Sequence, residues 1–151
     1  MIKRTARCKA TRDTIWRTCF QDVTKWPEWD PDLKEVTDAS GECVDGTTMT
    51  FHMADGGGPF FMKCASVSIN NHLEFTGRFL LGFAGAKGTF DLKDTAKSTS
   101  AIPETEVVYT FGLTGVLGAI FGSLNKKGIT KGVEEGLENI IAMSEAAQGK
   151  E

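Results

Sequence analysis

Few side chains in this 151-residue sequence are equipped for chemistry, and their spacing narrows the field further. Four cysteines, Cys8, Cys19, Cys43 and Cys64, lie 11, 24 and 21 residues apart, with no CxxC pair and no nearby histidine. That spacing does not build a zinc site, so they read as free thiols and no metal is expected. His52 and His72, the only histidines, sit at outward positions of strand-like segments with no carboxylate or cysteine at ligand spacing. They read as solvent-facing residues rather than a metal or acid/base pair. Gly56-Gly57-Gly58 has no lysine or helix start behind it, so a phosphate loop is not supported and no cofactor is expected. Tyr109, the only tyrosine, has inward parity on its strand. Its phenol could orient a ligand carbonyl or act as a weak acid with a loop carboxyl such as Asp30. A buried tyrosine can equally do no more than hydrogen-bond a neighbour. Arg78 faces outward and could meet a ligand carboxylate or remain solvated.

These residues depend on the elements that hold them. Ile2 to Ala10 alternates, with Ile2, Ala6, Cys8 and Ala10 on one face, the pattern of a half-buried strand interrupted by Arg4. Thr11 offers an N-cap and Asp13 a first-turn charge to a short helix from about Arg12 to Phe20. The segment Asp22 to Asp32 carries Trp26 and Trp29, while Pro27 and Pro31 forbid a long regular element there. It reads as a tryptophan-pinned connection with room for one helical turn.

From Leu33 to Gly112 the signals are strand and turn: Leu33 to Thr37, Thr47 to Met53, Pro59 to Ile69, His72 to Phe79, Ala86 to Lys93 and Ile102 to Phe111. Short connections predict an antiparallel meander. After Gly112 no proline or turn cluster recurs before Gly149, which predicts one long helix. Ile129, Val133, Leu137, Ile140 and Met143 share one arc of it, with Gly128, Gly132 and Gly136 as a ridge at the border. Each glycine costs about 1 kcal/mol relative to alanine, so a close approach or an empty volume must offset it.

The chain carries 17 basic and 20 acidic residues, a net charge of -3, which offers no field to attract a nucleic acid. Apolar residues are 40% and charged residues 25%, the composition of a globular domain. The length predicts one domain over 1–151. Basic residues punctuate the first twenty positions and leave no signal-peptide core, and Phe111 to Leu124 is shorter than the ~20 residues of a bilayer span. A cytoplasmic location is therefore expected. Within the strands, inward parity collects Met49, Phe51, Met53, Phe60, Met62, Cys64, Leu73, Phe75, Phe79, Phe90, Leu92, Val107, Tyr109 and Phe111, an almost wholly apolar face.

Three stretches resemble the START/Bet v1-like superfamily, in particular the SRPBCC, or polyketide cyclase/dehydrase-like, family. Ala10-Thr-Arg-Asp-Thr-Ile-Trp16 with Asp22 and Trp26-Pro-Glu-Trp-Asp-Pro31 is similar to the family's capped helix and tryptophan-bearing linker. Cys43-Val-Asp-Gly-Thr-Thr48 is similar to the glycine turn before the third strand. Tyr109 to Gly122, followed by Lys127 to Ile141, resembles the last strand and the glycine-punctuated start of the long helix. The resemblance spans essentially the whole chain. It implies an α+β helix-grip fold, in which a curved seven-stranded antiparallel β-sheet wraps a long C-terminal α-helix, with two short helices after strand 1. It also implies an internal cavity for an apolar ligand.

On that basis Trp26, Trp29, Met49, Phe51, Met62, Phe75, Phe79, Phe83, Phe90, Tyr109, Phe111, Leu117, Phe121 and Val133 are the ligand-binding candidates. Phe79 to Gly85 and the segment Leu113 to Leu124 are too apolar for solvated connections. They suit a gate over the cavity, or they cap the core and bury each other. The same surface would suit a transient membrane contact or a partner subunit, the chain being a monomer or weak homodimer. Flexible Met and rigid Phe without fixed polar groups favour binding or transport of a lipid, isoprenoid or polyketide-like molecule. The alternatives are a cyclase/dehydratase-type enzyme using Tyr109 and Asp30, and a protein-interaction module without catalysis.

Overall fold

The computed structural model describes residues 1–151. Alternating residues form β1 (Ile2–Cys8), and the six later runs form β2 (Leu33–Thr37), β3 (Thr48–Met53), β4 (Phe60–Ser68), β5 (His72–Phe79), β6 (Ala84–Asp94) and β7 (Thr105–Thr114). They make one antiparallel sheet in the order β1-β7-β6-β5-β4-β3-β2, so β1 and β2 are its two edges. Register between β1 and β7 runs from Ile2 opposite Phe111 to Cys8 opposite Thr105. Irregular pairing at Leu33/Glu35 and at Cys64/Ser66 bends the sheet, as bulges do.

Thr11 caps the first helix as expected, its hydroxyl accepting from the Thr14 amide. The helix, however, is α-helical only over Arg12–Ile15 (α1) and continues as a π-helical turn over Trp16–Phe20. The widened turn leaves Trp16, Cys19 and Phe20 all buried. A helix end strands its last carbonyls. Here Trp29 Nε1 donates to the Cys19 carbonyl at 2.9 Å and Trp26 Nε1 donates to the Phe20 carbonyl at 3.1 Å. The two indoles therefore satisfy the end of this helix while their rings fill the core. Trp26 lies in a 3-10 turn, Val23–Glu28, capped by Asp22, and Trp29 follows at its end.

The single long helix expected after Gly112 is two. The last strand runs on to Thr114 and is followed by α2 (Gly115–Leu124) and α3 (Lys126–Gln148). Gly115 has φ +81°, and the Phe83 carbonyl oxygen lies 2.6 Å from where a Cβ would stand, so only glycine fits this turn. At Asn125 the backbone leaves the helical region (φ -108°, ψ 20°), and its side-chain amide donates to the Phe121 carbonyl at 3.0 Å. A side chain that hydrogen-bonds a nearby backbone carbonyl competes with helix continuation, and neither glycine nor proline is needed to break the run.

The inner face of the sheet and α3 enclose a core of 26 buried residues. Asn139 on α3 donates to the Trp29 carbonyl at 3.0 Å, and the β1 end is tied to α3 by Lys9 N to Glu145 and Thr11 N to Gln148. The expected helix-grip architecture is thus present, with its grip helix starting at Lys126. No helix is long and apolar enough to cross a membrane.

Candidate functional site

The helix-sheet interface is not filled evenly. Around the tryptophan linker it is closed by aromatic rings: Phe90 stacks on Tyr109 at 4.1 Å and lies 4.6 Å from Phe20 and 5.3 Å from Trp29, and Trp26 lies 5.3 Å from Phe75. Toward the start of α3 a cavity of about 400 Å³ opens. Its apolar wall is Met53, Phe60, Phe111, Leu113, Ile129 and Val133, and Tyr109 also lines it. Its rim carries Asp30, Asp32 and Asp55.

The glycine ridge of α3 divides the two regions. Gly136 packs on Trp29 and Tyr109, each ring 3.6 Å from where a Cβ would stand. At Gly132 the Asp32 carboxylate occupies the place a Cβ would take. Gly128 faces open space at the cavity. Close approach accounts for the first two, and empty volume for the third.

The rim carboxylates come from the two loops beside the strands. The Asp30 carboxylate accepts from the Asp32 amide at 3.0 Å and the Asp55 carboxylate from Gly57 N at 2.8 Å, while the Asp32 backbone carbonyl accepts from Ala54 N at 2.8 Å and holds the β3 end. Burial pushes the Asp30 carboxyl up to about 6, the Asp32 charge adds to this, and the hydrogen bond from the Asp32 amide opposes it. Asp32 is also raised, by burial, then by Glu135 and Asp55, against the pull of Lys131. Tyr109 is 4% exposed, and burial followed by the charges of Asp30 and Asp32 holds its phenol well above its ordinary value. Its hydroxyl makes no hydrogen bond within the protein. No three His, Cys, Asp or Glu side chains converge as a metal site.

The fourteen candidate residues fall into three groups. Tyr109, Phe111 and Val133 line the cavity. Trp26, Trp29, Met49, Phe51, Met62, Phe75 and Phe90 are buried in the closed region, and Phe79 is partly buried against Phe60 at 4.8 Å. Phe83 and Phe121 are exposed beside Leu117 at the far end of the sheet. Strand parity placed Met53, Phe60 and Phe111 on the inner face and helical spacing placed Ile129 and Val133, but neither found Asp32 or Asp55, because both carboxylates sit in loops where no period applies. The available signal was Asp30-Pro-Asp32 next to two tryptophans and Asp55 in a glycine tip.

The other groups lie elsewhere. His52 Nε2 is 2.8 Å from the Thr37 hydroxyl, and His72 Nδ1 is 2.6 Å from Asp91. The outer face of the sheet has a wider open depression of about 770 Å³, lined by Lys63, Arg78 and Lys87 together with Phe61. All four thiols are buried, and burial pushes Cys8 up to about 12 and Cys19 to about 11, which makes them poor nucleophiles.

The family described as polyketide cyclase/dehydrase and lipid transport matches residues 2–145. The chain belongs to that family. Among solved structures it is similar to the hypothetical protein jhp0584 of Helicobacter pylori, with TM-score 0.75 and 9% identity over 94% of this chain and 86% of the other. It is also similar to the di-domain ARO/CYC protein StfQ of the steffimycin biosynthetic pathway, with TM-score 0.67 and 12% identity over 98% of this chain and 51% of StfQ. A third similar structure is XoxI of Bacillus cereus, with TM-score 0.66 and 11% identity over 93% of this chain and 92% of the other. At these identities the likeness establishes the fold alone. No curated protein matches the sequence. The family membership accords with the resemblance carried by the tryptophan linker and the glycine-punctuated C-terminal segment.

Proposed function

We propose that the protein binds and carries a small hydrophobic molecule in the cavity between the sheet and α3. The observation that carries this reading is a volume of about 400 Å³, inside the ~300–1,000 Å³ range of small-molecule sites, walled by Met53, Phe60, Phe111, Leu113, Ile129 and Val133. Three carboxylates at the rim disfavour an anionic end group, so the cargo is expected to carry a neutral or cationic polar end rather than a free carboxylate. Its apolar body lies against Phe111 and Val133, with the polar end toward Asp30 and the Tyr109 hydroxyl. Native mass spectrometry of protein purified from its host tests this. A retained apolar adduct that is lost in Gly128→Leu, whose side chain would enter the cavity, is the expected result. Protein that is always adduct-free and fails to take up apolar fluorophores would overturn it.

One observation favours a second reading, catalysis of the cyclase/dehydratase type. A carboxyl raised to about 6 near a buried phenol is suited to proton transfer near neutral pH. Tyr109→Phe and Asp30→Asn separate the two. A carrier keeps its cargo in both variants, whereas turnover of a candidate aromatic polyketide that is lost in both variants would favour the enzyme.

A further inference from the structure

Helix α2 is packed inside out. Its ten residues, Gly115 to Leu124, contain no charged side chain, and only Gly118 is fully buried. Gly118 and Gly122 face the protein against Leu113 of β7, with Leu117 half-buried beside them, while Val116, Ile120, Phe121 and Leu124 are exposed. An ordinary surface helix turns its large apolar residues inward. Beside it, the Phe83 carbonyl accepts from the Leu117 amide at 3.0 Å and joins α2 to the 3-10 turn Leu80–Gly82. That turn exposes Leu80, Phe83 and Leu81, the last at 99%. Leu80 and Leu81 both have left-handed backbone, φ 54° and 56°, which is disfavoured for any residue with a Cβ. Strain spent on presenting two leucines to water has no folding rationale and marks a functional segment.

Charge selects the partner. The chain is net acidic, yet no Asp or Glu occurs from Phe75 to Phe90 or from Val107 to Val133. The cations adjoining the apolar residues are Arg78 at the end of β5 and Lys126 and Lys127 at the start of α3, all exposed. The nearest acidic residues in α3 begin one to two turns further on, at Glu134 and Glu135, and Asp30, Asp32 and Asp55 stand at the cavity. A second copy docked about a twofold axis would bring two lysine collars together, which is repulsive. An anionic bilayer complements both features, because apolar side chains reach the acyl boundary while lysines meet the headgroups.

We propose that α2 and the Leu80–Phe83 turn form a docking tip for an anionic membrane surface. The tip stands on surface features alone, independent of what the cavity holds. It adjoins the cavity, since Leu113 and Asn125 belong to its wall, so on the carrier reading a docked protein presents the cavity to the lipid interface.

The test is flotation of the full chain with phosphatidylcholine vesicles, with and without phosphatidylserine. Partition onto the phosphatidylserine vesicles that weakens with salt is expected, with little onto phosphatidylcholine alone. Leu81→Glu, at a fully exposed position, is expected to lower the partition about tenfold or more. Lys126→Glu/Lys127→Glu is expected to lower it about tenfold or more on phosphatidylserine vesicles only. Equal, weak partition of the wild type on both vesicles overturns the proposal. So does a dimer in light scattering that Leu81→Glu dissociates without changing flotation. Both variants are also assayed for the retained apolar adduct. Loss of flotation with the adduct kept separates the tip from the cavity, whereas flotation without any adduct would count against the carrier reading alone.

Discussion

The two ends of the helix-sheet interface use the same materials to opposite effect. At the linker end, Trp26, Trp29, Phe20, Phe75 and Phe90 interlock at ring separations of 4.6 to 6.0 Å and leave no room. At the α3 start, Phe60, Phe111 and Val133 stand around about 400 Å³. The sheet supplies apolar residues along its whole inner face, so the difference arises from what lies opposite. One end receives two indoles from the linker. The other receives a helix with glycine at Gly128 and a break at Asn125. Filling is set by the cover, not by the sheet.

The largest expected perturbation is at the closed end. Trp29→Ala removes a ring packed among four other aromatics and the donor to the Cys19 carbonyl. A loss of about 3–5 kcal/mol is expected from urea titration, enough to unfold a marginal domain. If that variant instead kept near-wild-type stability, the closed end would not be the stabilising core.

Asp30→Asn probes the boundary between the regions. The carboxyl holds its proton to about 6 in the folded protein and to about 3.9 unfolded. Between those values the folded state binds more protons, so stability falls as pH rises through that window and stays lowered above it. Asn removes this loss, raising stability at pH 7 by on the order of 2 kcal/mol and not at all near pH 3. A uniform shift at all pH values would contradict the raised carboxyl.

Gly128→Leu sharpens the contrast at the open end. A gain of about 1 kcal/mol in stability is expected from helix propensity, together with loss of bound apolar fluorophore. Stability lost along with binding would mean that the space is needed for folding. Tyr109→Phe has the smallest expected effect on stability, within about 0.5 kcal/mol, because its hydroxyl has no partner to abandon. A larger loss in thermal denaturation would show that the phenol holds the fold.

Much of this was legible in the sequence, for identifiable reasons. Period-two alternation located all seven strands, and the inner-face residues from Met49 to Phe111 are buried or half-buried as parity requires. The break at Asn125 left no proline or glycine sign because its side-chain amide instead bonds the Phe121 carbonyl one turn earlier. The gap between the closed and open regions was invisible for a different reason. Parity assigns a face, but whether Phe90 meets an indole or an empty volume depends on where a separate segment docks. The linker's tryptophans therefore occupy space that strand pattern alone would leave for a ligand.

Pairing of β1 with β7 sets the order in which the chain can complete itself. Residues 2–8 pair with residues 105–111, about a hundred positions later in the chain. The meander from β2 through β7 can pair neighbour by neighbour, while β1 finds its partner only once β7 is in place. Closure of that edge therefore carries the longest loop-closure cost in the sheet.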